Sequence, residues 1–183
     1  NNFYAVVTAG DLNGDGTPDL LIGNYDGRIR AFANTTTDGV ISFAHIPYPL
    51  DQYDAGQNSA PCIVDMDGNG VLDLLIGSSG GEVILLKNSG TNAAPVFTAD
   101  AGFSVIDVGN DAIPFASDID KDGIMDLLIG NNEGTVFHYK RSPQTTNKFE
   151  LVTNRYRSIA LNTQSAPSVS DMDADGDLDL ILG

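Results

Sequence analysis

Residues 118–130 read Asp118-Ile-Asp-Lys-Asp-Gly-Ile-Met-Asp-Leu-Leu-Ile-Gly130. Oxygen-bearing side chains stand at positions 1, 3, 5 and 9 of this stretch, and a glycine stands at position 6. A short apolar run follows directly, which is typical of a buried β-strand. The stretch therefore predicts a tight, aspartate-rich loop that leads into a strand.

The same pattern occurs four times along the chain. The copies start at residues 11, 65, 118 and 171, and a period of about 53 residues indicates an internal repeat. In three copies a proline stands four residues before the first aspartate, at Pro61, Pro114 and Pro167. The other three copies are Asp11-Leu-Asn-Gly-Asp-Gly-Thr-Pro-Asp-Leu-Leu-Ile-Gly23, Asp65-Met-Asp-Gly-Asn-Gly-Val-Leu-Asp-Leu-Leu-Ile-Gly77 and Asp171-Met-Asp-Ala-Asp-Gly-Asp-Leu-Asp-Leu-Ile-Leu-Gly183.

Each complete period contains further strand signals. After each of the first three loops, a turn leads into an apolar stretch, at 28–32, 82–86 and 135–139, which predicts β-hairpins. A further strand is predicted at 40–44, 95–98 and 148–152, each reached through a polar loop. No stretch has a sustained 3.6-residue apolar period, so we expect no long helix.

Four antiparallel strands in each period are the composition of a β-propeller blade. We expect an all-β fold of four-stranded blades at residues 1–54, 55–107 and 108–160, with a partial blade at 161–183. Residues 1–183 would thus form a single repeat domain of about three and a half blades, which is part of a propeller. A period of about 53 residues leaves room for longer loops than the shorter blade families have.

The loop pattern favours a hard metal ion. Four side-chain oxygens and the backbone carbonyl of position 7 suit a cation that takes six to eight oxygen ligands. Neither histidine nor cysteine occurs in the pattern, which disfavours zinc and copper. Many oxygens on one flexible loop favour Ca²⁺ over Mg²⁺. The glycine at position 6 predicts a positive φ in a sharp turn.

We therefore predict about four Ca²⁺ ions, one in each loop. The first two loops each carry one asparagine in place of a carboxylate, so we expect them to bind more weakly than the third and fourth. Lys121, at position 4 of the third loop, is expected to point outward. The predicted ligands, with position 7 contributing its carbonyl, are Asp11, Asn13, Asp15, Thr17 and Asp19; Asp65, Asp67, Asn69, Val71 and Asp73; Asp118, Asp120, Asp122, Ile124 and Asp126; and Asp171, Asp173, Asp175, Asp177 and Asp179.

Two other kinds of loop have a similar pattern. An EF-hand starts with a similar spacing but requires a glutamate at position 12 and flanking helices. Position 12 is Ile22, Ile76, Ile129 and Leu182 here, which excludes an EF-hand. Aspartate-rich turns without an ion are the second alternative, because Asp, Asn and Gly favour turns by themselves. Four copies of the whole pattern favour metal binding.

The composition limits the classes of partner. There are 25 acidic and 9 basic residues, for a net charge of −16, which argues against nucleic acid and against anionic membranes. No apolar run approaches 18 residues and no basic, apolar leader starts the chain, so we expect neither a membrane span nor a signal peptide. Cys62, the single cysteine, lies in an apolar run and is expected to be buried.

The four loops with their apolar tails, together with Asn88-Ser-Gly-Thr-Asn-Ala-Ala-Pro-Val-Phe97, resemble the FG-GAP/VCBS repeat family. Blades of this family form the integrin α-subunit propeller and parts of many surface proteins. The resemblance implies Ca²⁺ in the loop that joins the first two strands of each blade. It also implies closure with about seven blades, supplied by the remainder of a longer chain or by a second copy.

We expect a non-enzymatic, calcium-stabilised propeller segment of an extracellular or cell-surface protein. The resemblance suggests adhesion, protein–protein interaction or an assembly scaffold, with a protein or glycan ligand at the blade-connecting loops. Catalysis is not expected, because more than half of the acidic residues belong to the loops and the two histidines, His45 and His138, lie in different periods.

Two alternatives from other functional classes remain open. A propeller module of a polysaccharide-active enzyme would need an acid/base pair or an open metal site on a loop that faces the central channel. A glycan-binding lectin would need clustered, exposed aromatic side chains. Its best candidates are Tyr48, Tyr53 and Tyr156.

Overall fold

The computed structural model describes residues 4–47, 49–50, 53–145 and 147–183. Within these ranges the chain consists of strands, turns and loops, and its one helical element is a 3-10 turn at Tyr156–Ser158. The strands form four antiparallel sheets that follow one another along the chain. Among the described residues, no helix has the length and apolar character needed to span a membrane.

The sheets repeat one topology in which each strand pairs with the next along the chain. This order is that of propeller blades, and it confirms the all-β prediction and the partial propeller. The predicted blade boundaries stay predictions. The strands are β1 (Ala5–Gly10), β2 (Asp19–Asn24), β3 (Ile29–Asn34) and β4 (Phe43–Ile46); β5 (Ala60–Val64), β6 (Asp73–Gly77), β7 (Glu82–Asn88) and β8 (Phe97–Ala99), with β9 (Ile106–Asp107) also paired to β7; β10 (Ile113–Ser117), β11 (Asp126–Gly130), β12 (Val136–Arg141) and β13 (Phe149–Thr153); and β14 (Pro167–Ser170) and β15 (Asp179–Leu182).

The apolar cores lie between successive sheets. One core joins residues of the first sheet to Leu74 and Ile76 of β6, whereas the other joins Leu75 of β6 to Leu127 and Ile129 of β11. All of β6 is buried. Because successive side chains of a strand point to opposite faces, the Leu-Leu-Ile run supplies both of its neighbouring cores at once. First strands of successive sheets also lie in contact, β1 with β5, β5 with β10 and β10 with β14.

The glycine that ends each of the first three tails permits this close packing. An added Cβ there would lie 2.0–2.1 Å from a backbone carbonyl oxygen at the start of the following sheet, closer than any real contact. This role of the glycines was not predicted from the sequence. The Cβ-to-oxygen distances would be 2.1 Å for Gly23 and Ser59, 2.0 Å for Gly77 and Ala112, and 2.0 Å for Gly130 and Ser165.

Most predicted strands are confirmed, with two displaced starts. The stretches predicted at 28–32, 82–86, 135–139 and 148–152 lie on β3, β7, β12 and β13. Strand β8 starts at Phe97, two residues into the stretch predicted at 95–98. The strand predicted at 40–44 instead starts at Phe43. Asp38 and Gly39 have φ of 53° and 77°, and Thr37 and Val40 exchange backbone hydrogen bonds. The hairpin turn thus takes up the first residues of the predicted strand.

Candidate metal centre

Each loop joins the first two strands of its sheet and is shaped by three repeated hydrogen bonds. The aspartate at position 1 accepts the N–H of the position 6 glycine at 2.8–3.0 Å. The side chain at position 5 accepts the N–H of position 7 at 2.7–2.8 Å. The aspartate at position 9 accepts the N–H of position 2 at 3.0–3.3 Å. Local sequence therefore produces the same loop four times.

Two positions of each loop have a left-handed backbone. Position 6 has the predicted positive φ, at 86°, 82°, 82° and 91° in Gly16, Gly70, Gly123 and Gly176. Position 4 also has a positive φ, which the sequence analysis missed although glycine stands there in the first two copies. Lys121 and Ala174 hold this conformation at 61°, at a cost of roughly 1 kcal/mol each.

The third and fourth loops bring three carboxylates together. Oxygens from positions 1, 3 and 9 lie within 4.8 Å of one another in both loops, and in the ranges that the structure describes these are the two groups of this kind. A set of oxygen donors alone fits a hard divalent cation. The residues are Asp118, Asp120 and Asp126 in the third loop, and Asp171, Asp173 and Asp179 in the fourth.

The first two loops keep the repeated hydrogen bonds but carry an asparagine at position 3 or position 5. The Asn13 amide donates to Asp15 Oδ2 at 2.9 Å. Hydrogen bonds from the Thr17 hydroxyl and amide lower the pKa of the Asp15 carboxyl. In the second loop Asn69 itself supplies the oxygen that accepts the Val71 N–H. These contacts hold position 5 within its own loop, and weaker calcium binding there stays a prediction.

The position 9 aspartate ties each of the first two loops to the third strand of its sheet. Asp19 and Asp73 are 0% and 1% exposed, and their Oδ1 atoms accept the N–H groups of Asn34 and Asn88 at 2.8 Å. Burial raises the pKa of Asp73 and likewise that of Asp126 in the third loop. These carboxylates therefore hold the fold together as well as being predicted ligands.

Two side chains of β12 reach the third loop, and the sequence analysis missed both. Lys140 Nζ lies 2.5 Å from Asp120 Oδ2 and 3.1 Å from Asp122 Oδ2. This contact lowers the pKa of Asp120 and raises that of Lys140. His138 Nε2 lies 3.4 Å from Asp126 Oδ1. The register of the hairpin could have indicated the Lys140 contact, because Asp126 and Lys140 are paired residues on β11 and β12.

Lys121 leaves its own loop, as expected, and contacts the next one. Its ammonium donates to the Gly176 carbonyl and lies 3.3 Å from Asp177 Oδ1. Neither acceptor is a predicted side-chain ligand of the fourth loop. Lys121 therefore links the third and fourth loops without entering the carboxylate group of the fourth.

The tyrosines considered for glycan binding lie on separate parts of the molecule. Tyr53 packs against the core between the first two sheets, whereas Tyr156 contacts His138 of the third sheet edge to face, with ring centroids 5.2 Å apart. Tyr48 lies outside the described residues. Cys62 is buried, as expected, and burial raises its pKa to about 11.

The four position 7 carbonyls stay predicted ligands. Their residues are placed in the loops by the repeated hydrogen bond from their own N–H to the side chain at position 5. They are Thr17, Val71, Ile124 and Asp177.

Successive antiparallel sheets, each with an aspartate-rich loop between its first two strands, define the chain as a segment of a β-propeller. The FG-GAP-like repeat family matches residues 11–76 and 118–182. The chain belongs to this family, and the predicted resemblance is confirmed. No curated protein matches the chain.

Proposed function

We propose that the chain is a calcium-stabilised, non-enzymatic propeller segment of an extracellular or cell-surface protein. Its blade-connecting loops would bind a protein or glycan ligand. The segment would act in adhesion or protein–protein interaction, or as an assembly scaffold. The remainder of a longer chain, or a second copy, would complete the propeller.

The observation that carries the calcium proposal is the convergence of three carboxylates in the third and fourth loops. Their oxygens lie within 4.8 Å of one another, and like charges at such distances repel even near a protein surface. A bound Ca²⁺ would supply the opposing charge, and four such ions would halve the formal net charge of −16. The repeated loop shape supports one ion in each loop.

Calcium supply favours the extracellular location. A loop with a Kd near 10⁻⁴ M gains roughly 1.4 kcal/mol at about 1 mM Ca²⁺, and almost nothing at sub-micromolar cytosolic concentrations. Four loops of this strength would add roughly 6 kcal/mol to the folded state. This favours a permanent stabilising role for the ions over a switching role.

Exposed apolar side chains on two hairpins within the blades favour a further contact with a partner. Val40 and Ile41 lie next to each other in the hairpin between β3 and β4 and are 70% and 78% exposed. Val96, in the corresponding hairpin between β7 and β8, is 56% exposed. Exposed apolar groups on loops are typical of interaction sites.

The test combines calorimetric melting, with and without EDTA, with a calcium titration that counts sites. We expect about four sites and a Tm that falls by roughly 10–20 °C on chelation, because all of the binding free energy is lost. Unchanged melting together with no calcium uptake would contradict the proposal.

A matched pair of variants locates the sites. Asp171→Asn removes one charge at position 1 of the fourth loop and should reduce the count by one. Glu133→Gln removes one charge from an exposed turn outside the loops and should leave the count unchanged. An equal loss in both variants would indicate nonspecific attraction to the net charge.

A further inference from the structure

Lys140 places a positive charge between two predicted ligands of the third loop. It stands on β12 directly opposite Asp126 of β11. Its ammonium lies 2.5 Å from Asp120 Oδ2 and 3.1 Å from Asp122 Oδ2, which are positions 3 and 5 of the loop. Both distances are those of charge-assisted hydrogen bonds.

The other sheets provide an internal comparison. Lys87 is the counterpart of Lys140 in the second sheet, because it directly follows the Leu74–Leu86 pair. Its Nζ lies 3.8 Å from Asp67 Oδ2 and 4.0 Å from Asp100 Oδ2. These distances are too long for hydrogen bonds. Ala33 is the counterpart of Lys140 in the first sheet, because it directly follows the Leu20–Phe32 pair. The close lysine is therefore a property of the third loop and not of the repeat.

We propose that Lys140 is a tethered cation that competes with calcium for Asp120 and Asp122, and so makes the third loop a weaker site than its four carboxylates suggest. This inference rests on the proposed function. A divalent ion entering the loop has to displace the ammonium from both carboxylates. Two partly exposed ion pairs of this kind correspond to a roughly tenfold loss of affinity.

The contact of Lys140 with Asp120 and Asp122 stabilises the third loop when calcium is scarce. The ammonium neutralises part of the carboxylate charge, so the third loop keeps its shape on chelation. In the fourth loop the lysine that arrives from outside, Lys121, contacts the Gly176 carbonyl and Asp177 and not the three grouped carboxylates. Removal of Lys140 should therefore strengthen calcium binding and, at the same time, destabilise the calcium-free protein.

The experiment follows each loop separately in the ¹⁵N-labelled full chain. The amides of the position 6 glycines report on their own loops, because each donates to the position 1 aspartate. In a calcium titration, the Gly123 midpoint of the unmodified protein should lie roughly tenfold above that of Gly176. In Lys140→Met the Gly123 midpoint should fall roughly tenfold, while the Tm in EDTA should decrease.

Three matched variants separate competition from a structural effect. Lys140→Arg keeps the charge and should keep the weak Gly123 midpoint. Lys140→Gln keeps a polar side chain without charge, so it should behave as Lys140→Met does and serves if the methionine variant fails to fold. Lys87→Met should shift the Gly70 midpoint by less than about twofold, because its contacts are longer.

The outcomes distinguish this inference from the proposed function. An unchanged Gly123 midpoint in Lys140→Met and Lys140→Gln, with saturable binding at the other loops, would overturn the competition and leave the calcium sites standing. The absence of saturable binding at every loop of the unmodified protein would overturn both.

Discussion

The third and fourth repeats share their loop but differ in their surroundings. The position 1 aspartate accepts the glycine N–H at 2.8 Å in the third loop and at 3.0 Å in the fourth. Asp126 is nevertheless 1% exposed, whereas Asp179 is exposed. Strand β11 pairs on both sides, with β10 and β12, but β15 pairs with β14 alone within the described residues. Loop shape is thus a local property, and burial is decided by neighbouring strands.

The largest expected difference concerns the tail glycines. Gly130→Ala should destabilise this chain by about 3 kcal/mol, because the new Cβ meets the Ser165 carbonyl oxygen and backbone has to move. Gly183→Ala is the matched control, since nothing lies within 4 Å of its Cβ position. Urea unfolding measures both free energies. Equal losses would show that the glycine has a local role and not a packing role.

A smaller difference in stability loss is expected between variants of the position 9 aspartates in the calcium-free protein. Asp126→Ala removes the carboxylate that accepts the Ile119 N–H at 3.3 Å, and leaving this part-buried donor unpaired should cost about 2 kcal/mol. Asp179→Ala should cost less than about 0.5 kcal/mol, because water can replace the acceptor for the exposed Met172.

Thermal unfolding in EDTA measures this pair without any contribution from calcium. If the Asp179 variant loses as much stability as the Asp126 variant, the loop itself is what the carboxylate stabilises. Burial by neighbouring strands would then not explain the difference between the two repeats.

The smallest effect concerns salt. If Lys140 weakens the third loop, its two ion pairs, with side chains 39–48% exposed, are partly screened by about 1 M KCl. The roughly tenfold gap between the Gly123 and Gly176 midpoints should then narrow to about threefold. A calcium titration at low and high KCl measures the gap. A gap that is insensitive to salt would point to loop geometry and not to the lysine.

The strands and the loop shape could be predicted from the sequence because both depend on neighbours along the chain. Apolar stretches that follow turn glycines predicted β3 and β7, and the positive φ of Gly123 followed from its place in a sharp turn. The displaced start of β4 arose where Asp38, a residue without a glycine's freedom, also took a positive φ. Short-range patterns predict which element forms more reliably than where it begins.

The candidate site was predicted only in part. The position 1, 3 and 9 carboxylates of the third and fourth loops come together as the pattern implied. Lys140 and His138 were missed because they approach the third loop across a strand pair. A count of carboxylates ranked the third loop with the fourth, but it could not include the contacts of Lys140 with Asp120 and Asp122.

Sequence alone determines the period, the strands, the shape of each loop and membership of the FG-GAP-like repeat family, because these depend on residues within a few positions of one another. Tertiary structure decides which copies of the same aspartate are buried, which tail glycine has no space for a side chain, and which loop receives a lysine. Those properties depend on backbone and charges brought close by sheet pairing and blade packing, and identical motifs such as Asp126-Leu-Leu-Ile-Gly130 carry no record of them.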